Sequence, residues 1–298
     1  KEMKLRKKGA YDQYVRTQKT SLLAETMQRV WENPGARVGV ILLAVICLAC
    51  IFAPVIAPYG VNEMDLKNMF KGPSMQHICG TDGMGRDLFT RLLYGGRYSL
   101  ALGLCAAVFG SVVGTIIGSV AGYFGGKVET IIMRLMDIWS SLPSILLCIL
   151  ISAVLGSGFF NTVLALSVGN VPIGVRLIRG QILSERSKEY LEAAESIKCS
   201  KASIMFRHLL PNVISPVIVD ATMGIGMTIT MAAALSYIGL GVQPPTPEWG
   251  AMLADARSHI LNYPYLIMFP GLIIALTVLA INLIGDGLRD ALDPKLRK

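Results

Sequence analysis

Six long apolar stretches separated by polar segments dominate the pattern along this chain of 298 residues. A helix of about 20 apolar residues crosses the roughly 30 Å of hydrocarbon in a membrane, and a backbone in lipid must satisfy its own polar groups. The pattern therefore predicts an all-α membrane protein with six transmembrane helices. The predicted spans are residues 38–57, 99–124, 131–155, 159–182, 213–240 and 263–284.

The polar segments set the rest of the predicted organisation. The transmembrane domain occupies residues 38–285, between a basic N-terminal tail at 1–37 and a C-terminal tail at 286–298. Two connections are long, an outer loop at 58–98 and a loop at 184–212.

Composition supports lipid as the solvent of this chain. Hydrophobic residues make up 53% of it and charged residues only 16%, against about 25% charged residues in soluble domains. A water-soluble globule of this length is therefore excluded.

The net charge of +8 concentrates in particular segments. Of the 28 Lys and Arg residues, 22 lie in residues 1–37, 125–134, 176–212 and 285–298. Cytoplasmic segments of membrane proteins carry such an excess, so both termini are predicted to lie in the cytoplasm, with the chain passing the membrane several times. The basic charge is thus assigned to the lipid bilayer, and no nucleic-acid partner is predicted.

Polar residues inside predicted spans are candidates for function. Asp220 is the strongest candidate for a solute pathway, and the alternative is an ion pair with a cation of a neighbouring helix. The other pathway candidates are Asn170, Met223 and Met227.

Three further cations and one carboxylate lie near these spans. Arg134 and Asp137, three residues apart on one helix face, are predicted to pair. Arg176 and Arg179 are predicted to mark the inner mouth of the fourth span.

The second span carries glycine at every fourth position. The repeat comprises Gly110, Gly114, Gly118, Gly122 and Gly126, and this spacing leaves a groove along one helix face that lets another helix approach closely. Two interpretations stay open: a seam at the pore or at a subunit interface, and packing within the subunit.

Several enzyme classes are excluded by what the sequence lacks. No G-x-x-x-x-G-K-[ST] occurs, so the chain is not an ATPase. No predicted span holds a histidine and no H-E-x-x-H occurs, which removes the intramembrane proteases. The six cysteines form no metal or disulfide framework, and no metal site is predicted. A channel or secondary carrier remains an alternative.

The loop at 184–212 predicts two short helices. Leu191, Ala194 and Ile197 share one face at helical spacing, and Ser200 is a suitable N-cap for the second helix. This amphipathic pair suggests a docking surface, and the alternative is a solvated connection.

Motifs in this loop and beyond it carry a family resemblance. Glu192-Ala193-Ala194, followed by Leu210-Pro211, resembles the EAA motif of ABC-importer membrane subunits. Residues 77–87 and 92–97 resemble the outer-loop signature of the peptide and nickel importer branch, and residues 236–241, 244–250 and 285–294 are similar to its C-type permease. The signature residues are Gly80, Thr81, Asp82, Gly85, Arg86 and Asp87.

The resemblance implies a multi-pass protein of the bacterial inner membrane, with a type I ABC importer permease fold and a cytoplasmic coupling helix that inserts into an ATPase. Its implied partners are a homologous second permease, one or two ATP-binding subunits and an extracytoplasmic substrate-binding protein. This chain is expected to bind no cofactor, with ATP and Mg²⁺ held by the partner ATPases. The predicted ATPase-coupling residues are Glu189, Tyr190, Glu192, Ala193, Ala194, Ile197, Lys198, Arg207 and His208.

The same resemblance implies the cargo. The chain is predicted to form half of a pathway for di- and oligopeptides, with nickel or a metal chelate as the alternative.

One position departs from the family pattern. Members similar to this chain have glycine where it has Lys198, four residues after the alanine pair. Because a left-handed backbone is costly for lysine, the turn is predicted to move to Cys199–Ser200 or to stay helical.

Overall fold

A computed structural model of the chain describes residues 22–196 and 198–292, and helices account for nearly all of its regular structure. The predicted tails fall partly outside this range, at 1–21 and 293–298. No β-strand occurs within the described residues. The helices of more than one turn are α1 Leu22–Glu32, α2 Pro34–Ile51, α3 Leu88–Phe124, α4 Gly126–Trp139, α5 Ser144–Leu155, α6 Phe159–Arg186, α7 Glu189–Ser196, α8 Leu210–Tyr237, α9 Trp249–Ala256 and α10 Tyr265–Leu292.

Two of the membrane helices begin at side-chain caps. The Oδ1 atom of Asn33 accepts the backbone N–H of Gly35 at 2.9 Å, directly before α2. A carboxylate oxygen of Asp87 accepts the backbone N–H of Thr90 at 2.8 Å, so α3 begins well before residue 99 and runs for 37 residues. Both caps satisfy N–H groups that a helix leaves without partners in its first turn.

The third predicted span is broken. Helices α4 and α5 meet at an angle of 81°, and Pro143 stands at the break, immediately before α5. The residue before a proline is disfavoured in the helical region, so α4, which ends at Trp139, cannot continue through Leu142 into α5. The expectation of a single helix over 131–155 is therefore wrong.

Contacts along α6 support the interpretation of the broken pair as one span. The Nε atom of Arg179 donates to Glu129 at 2.6 Å, Cys148 donates to the carbonyl of Ala165 at 3.3 Å, and Asn161 donates to the carbonyl of Leu155 at 2.7 Å. From the start of α4 to the end of α5, the contacting residues on α6 thus run from the end of α6 back towards its start. Counted as one span beside the five continuous apolar helices, this pair brings the number of spans within the described residues to six.

The connections gather at two ends of the bundle. At one, called the loop end, the outer loop meets the start of α10, where the Tyr265 hydroxyl donates to the carbonyl of Thr81 at 3.0 Å. At the other, called the tail end, Asn33 before α2 lies 3.2 Å from Asp290 near the end of α10. The segment after α6 lies at the tail end, because Ile182 packs beside Gly122 in the last turns of α3.

The glycine groove of α3 is filled by α6 of the same chain. A methyl group added at Gly114 would lie 3.1 Å from the Cα of Gly174, and one at Gly118 would lie 2.7 Å from the carbonyl oxygen of Val175. Gly110 and Gly122 face α6 in the same way, whereas Gly126 has open space around it. The four buried glycines therefore serve packing within the subunit.

We expect Gly118→Ala to destabilise the protein by about 1–3 kcal/mol, because the new methyl group must push backbone atoms of α6 apart. The matched control is Gly180→Ala on α6, where nothing lies within 4 Å of the added atom. Thermal unfolding of the purified protein in detergent measures both. Equal midpoints for the two variants would contradict the packing role of the groove.

Ion pairs between α4 and α6 replace a predicted pair. Asp137 lies 3.2 Å from Arg176 on α6, so the expected pairing of Arg134 with Asp137 is wrong. Packing of α6 against α4 brings a cation closer to Asp137 than its own helix does. Arg176 and Arg179 both join α6 to α4.

Candidate functional site

The segment at residues 187–209 joins α6 to α8 at the tail end. Helix α7 is followed by a turn at residue 198, a helical turn Lys201–Ser203 that Ser200 caps, and a π-helical turn Ile204–Leu209. The hydroxyl of Ser200 accepts the backbone N–H of Ser203 at 3.2 Å, which agrees with its predicted role as an N-cap. The segment thus contains α7 and a second helical stretch, residues 201–209, that continues directly into α8.

The turn after α7 overturns the prediction for Lys198. Its φ is +56°, in the left-handed region, and the backbone N–H of Cys199 donates to the carbonyl of Ala194 at 3.1 Å. This hydrogen bond closes a Schellman motif, in which the left-handed residue is usually glycine. The need to satisfy the helix carbonyls outweighs the conformational cost for lysine, about 1–2 kcal/mol.

The apolar face of the segment is anchored to the two flanking membrane helices. Leu191 and Ala194 of α7 are buried in one cluster with Ile204 and Leu209 of the π-helical turn. The remaining buried members of the cluster are Ile178, Ile182, Val213 and Val217 of α6 and α8. Helix α7 is therefore packed against both membrane helices through this cluster.

Hydrogen bonds add a second anchor. The hydroxyl of Tyr190 donates to Glu185 at 2.9 Å and accepts from the Asn212 amide at 3.2 Å. Lys188 pairs with the same carboxylate at 2.7 Å. Burial and the bond to Glu185 raise the pKa of Tyr190.

The predicted ATPase-coupling residues divide between two faces. Tyr190 and Ala194 contact the chain's own helices. Glu189, Lys198 and Arg207 are exposed and His208 is half-buried. The side chains of Glu192 and Ala193, and the whole of Ile197, lie outside the described residues.

One exposed residue on this surface escaped sequence reasoning. Phe206 is 63% exposed, next to Arg207 on the π-helical turn. In the sequence, Phe206 stands out as the aromatic residue between Ile204 and Leu209, two positions that the structure buries. An exposed aromatic side chain beside an arginine combines two residue types that are enriched in protein interfaces.

The pathway candidates occupy different environments. Asp220 is exposed on α8, and no ion pair within residues 22–196 and 198–292 includes it. Met227 lies seven residues further on, on the same helix face, and is 66% exposed. The alternative of a structural ion pair for Asp220 therefore has no partner in that part of the chain.

The other two candidates make contacts within the chain. Asn170 donates to the hydroxyl of Thr228 at 3.3 Å, which joins α6 to α8 beside a small cavity that Met227 also lines. Met223 packs against Gly285 of α10 and so belongs to the contact between α8 and α10.

At the loop end, the signature residues build a tight loop around Asp82. Its Oδ1 atom accepts the backbone N–H groups of Met84 at 2.9 Å and Arg86 at 3.0 Å. Its Oδ2 atom accepts the Arg86 guanidinium at 2.6 Å. Gly85 closes the loop with φ +72°, and any side chain there would overlap the carbonyl of Asp65.

The neighbouring signature residues fix this loop to α3 and α10. Asp87, the cap of α3, also lies 3.0 Å from the Nδ1 atom of His77. The hydroxyl of Thr81 accepts the backbone N–H of Lys71 at 2.8 Å, and a methyl group on Gly80 would lie 2.7 Å from the ring of Tyr265. The six residues therefore act as one folded unit.

The remaining loop-end motifs meet each other in space. Trp249 is fully buried, and its indole N–H donates to the carbonyl of Leu92 at 2.9 Å. Glu248 caps α9 and accepts the hydroxyl of Ser99 at 2.9 Å. These contacts join α9 to α3.

Comparison with protein families places the chain. Residues 114–298 match the model described as binding-protein-dependent transport system inner membrane component. Residues 21–73 match the N-terminal TM domain of oligopeptide transport permease C.

Two relatives match nearly the whole chain. It is 44% identical to the dipeptide transport system permease protein DppC of Alkalihalophilus pseudofirmus, over 92% of this chain and 90% of that protein. It is 49% identical to the glutathione transport system permease protein GsiD of Escherichia coli, over 88% of this chain and 86% of that protein.

Among solved structures, the inward-facing MetNI methionine ABC transporter has the same fold. One of its chains superposes with a TM-score of 0.57 at 19% sequence identity, covering 68% of this chain and 97% of that chain.

Proposed function

The chain belongs to the family of binding-protein-dependent transport system inner membrane components, and we propose that it forms half of the translocation pathway of an ATP-driven importer of di- and oligopeptides. The family consists of membrane permease subunits of ABC transporters, not catalytic enzymes. Relatives named for dipeptide and glutathione transport support peptides as the cargo.

The observation that carries this proposal is the double anchorage of the 187–209 segment. Its buried face packs on α6 and α8, while Glu189, Lys198, Phe206 and Arg207 remain exposed. A partner that binds the exposed face and displaces it would move α6 and α8 together. The same two helices carry the pathway candidates Asn170, Asp220 and Met227.

The proposed mechanism is alternating access driven from outside the chain. Partner ATPases bind ATP and Mg²⁺, and their closure pushes the 187–209 segment so that the bundle opens outward. The ATPase can shift the equilibrium between the two conformations of the bundle only as far as it binds the 187–209 segment with different affinities in those conformations. The chain itself is proposed to bind no cofactor.

The proposed assembly holds a homologous second permease, one or two ATP-binding subunits and an extracytoplasmic binding protein. The tail end, which carries the 187–209 segment, is proposed to face the cytoplasm with both termini. The excess of Lys and Arg in the segments at that end supports this orientation. The loop end would then face the binding protein.

The cargo assignment is tested with the complete importer in proteoliposomes. We expect di- and oligopeptides, presented by the binding protein, to stimulate ATP hydrolysis and to accumulate inside. Stimulation by nickel chelates and not by peptides would overturn the peptide assignment. Uptake that ignores ATP would overturn the importer itself.

Replacing Asp220 by Asn is expected to lower peptide uptake by about tenfold without loss of the assembled complex. A carboxylate without a cationic partner in an apolar helix is costly and marks a functional position, and here it would attract the ammonium group of a peptide. Uptake per assembled complex is the measurement. The same change at Asp65, which is exposed in the outer loop, is the control, and unchanged uptake in Asp220→Asn removes this residue from the pathway.

A further inference from the structure

A cavity of about 450 Å³ opens at the loop end beside the signature loop. Much of its wall is apolar, with contributions from Phe70, Met252 and Leu266. Its size falls within the range of small-molecule pockets, about 300–1,000 Å³. The charged residues that line it are Asp82, Arg86, Arg91 and Asp255.

Arg91 is a buried cation with donors to spare. It is 2% exposed, and a guanidinium has five N–H donors. Among the described residues its polar contacts are long, 3.5 Å to the Asn62 amide oxygen and 3.7 Å to Asp82. Charge-assisted hydrogen bonds usually measure about 2.7–2.9 Å, and the Asp82 oxygen in question already lies 2.6 Å from Arg86.

Asp255 supplies the opposite charge on the wall of the same cavity. Its side chain is 43% exposed, and its ion pair among the described residues is a contact of 3.8 Å to Arg86. Burial raises the pKa of Asp255, while Arg91 and Arg86 lower it, so this carboxylate would gain from a cation at close range. The four charges of the wall sum to zero, which suits a ligand that is neutral overall.

We infer that this cavity binds a small zwitterion, with the ligand carboxylate against Arg91 and its ammonium group against Asp255. The apolar wall around Phe70 and Met252 would take an apolar side chain. An amino acid or a short peptide with free ends has this chemistry. The choice of a peptide rests on the proposed function, whereas the pairing of charges does not.

The probe is the dipeptide alanyl-phenylalanine with free ends, titrated calorimetrically into the importer complex in nanodiscs without binding protein or ATP. We expect the N-acetylated and C-amidated forms to bind about tenfold more weakly, since a hydrogen bond to a charged group is lost. Asp255→Asn should weaken binding of the free dipeptide to the same degree and leave the affinity for the N-acetylated form unchanged. The control Glu63→Gln, exposed in the outer loop, should change neither.

A second measurement does not depend on these charges. Met84, 46% exposed, lines the cavity, so a Met84→Cys thiol should react with a charged, membrane-impermeant reagent and be protected by the free dipeptide. Nearby Cys79 contributes little background, because burial raises the pKa of its thiol to about 11 and only the thiolate reacts.

Two results would overturn the inference. One is equal affinity, or no affinity, for the free and blocked dipeptides. The other is a Met84→Cys thiol that the assembled complex shields before any dipeptide is added, which would assign the cavity to a protein contact. Peptide uptake without binding in the cavity rejects this inference alone, whereas binding without uptake rejects the proposed function alone.

Discussion

Replacing Asp82 by Asn is expected to lower the free energy of unfolding by about 3–5 kcal/mol, because removing one partner of a buried ion pair leaves the other charge uncompensated. Arg86, 4% exposed, has its closest carboxylate contact with Asp82, and Arg91, 2% exposed, has its ion pair there. An asparagine still offers one oxygen to the backbone N–H groups of the loop, but it brings no charge. The loss therefore falls mainly on the guanidinium group of Arg86, which lies 2.6 Å from Asp82, and less on that of Arg91, which lies 3.7 Å away.

Thermal unfolding of the purified complex and proteolysis of the outer loop measure this effect. The control is Asp65→Asn, since Asp65 is exposed and accepts a backbone N–H at Lys67 that asparagine also accepts. We expect the control to unfold at the same temperature as the wild type. An Asp82→Asn variant that does the same would show that the signature loop does not depend on this carboxylate.

Replacing Leu191 by Asp is expected to reduce transport about tenfold or more, because burying a carboxylate without partners costs several kcal/mol. Leu191 is 4% exposed, in the cluster that joins α7 to α6 and α8. The segment would no longer pack against the two membrane helices, and a movement of the ATPase would no longer displace them. ATP hydrolysis should continue without stimulation by substrate.

Uptake and ATP hydrolysis in the same proteoliposomes separate loss of coupling from loss of the complex. Leu261→Asp makes the same chemical change at a position that is 93% exposed at the loop end, away from the 187–209 segment, and it should leave the assembled complex and its basal ATP hydrolysis unaltered. Substrate-stimulated hydrolysis and uptake of wild-type size in Leu191→Asp would contradict the anchoring role of the segment.

The expectations that held depend on local patterns. The alternation of apolar and polar stretches identifies a helical membrane protein without any knowledge of which helices touch. The spacing of Gly110 to Gly122 likewise indicates a groove, because four-residue spacing returns to one helix face. Ser200 caps the helix after it because its short polar side chain reaches the backbone of its own next turn.

The expectations that failed concern partners distant along the chain or competing demands on one residue. Asp137 pairs with Arg176 across two helices, not with Arg134 on its own. Lys198 takes a left-handed backbone because the end of α7 must satisfy its carbonyls. In both cases the deciding interaction, an ion pair with another helix or the hydrogen bonding at a helix end, is absent from the local pattern of the sequence.

Sequence alone determined the solvent, the class of fold, the family resemblance and the presence of an amphipathic segment before α8, since each follows from residue types and their spacing along the chain. Tertiary structure decided what fills the glycine groove, that α4 and α5 form one broken span along α6, and that buried charges converge on a cavity beside Asp82. The physical reason is distance along the chain: Arg91 and Asp255 line one cavity only after α3 and α9 have packed together, and no local pattern encodes that approach.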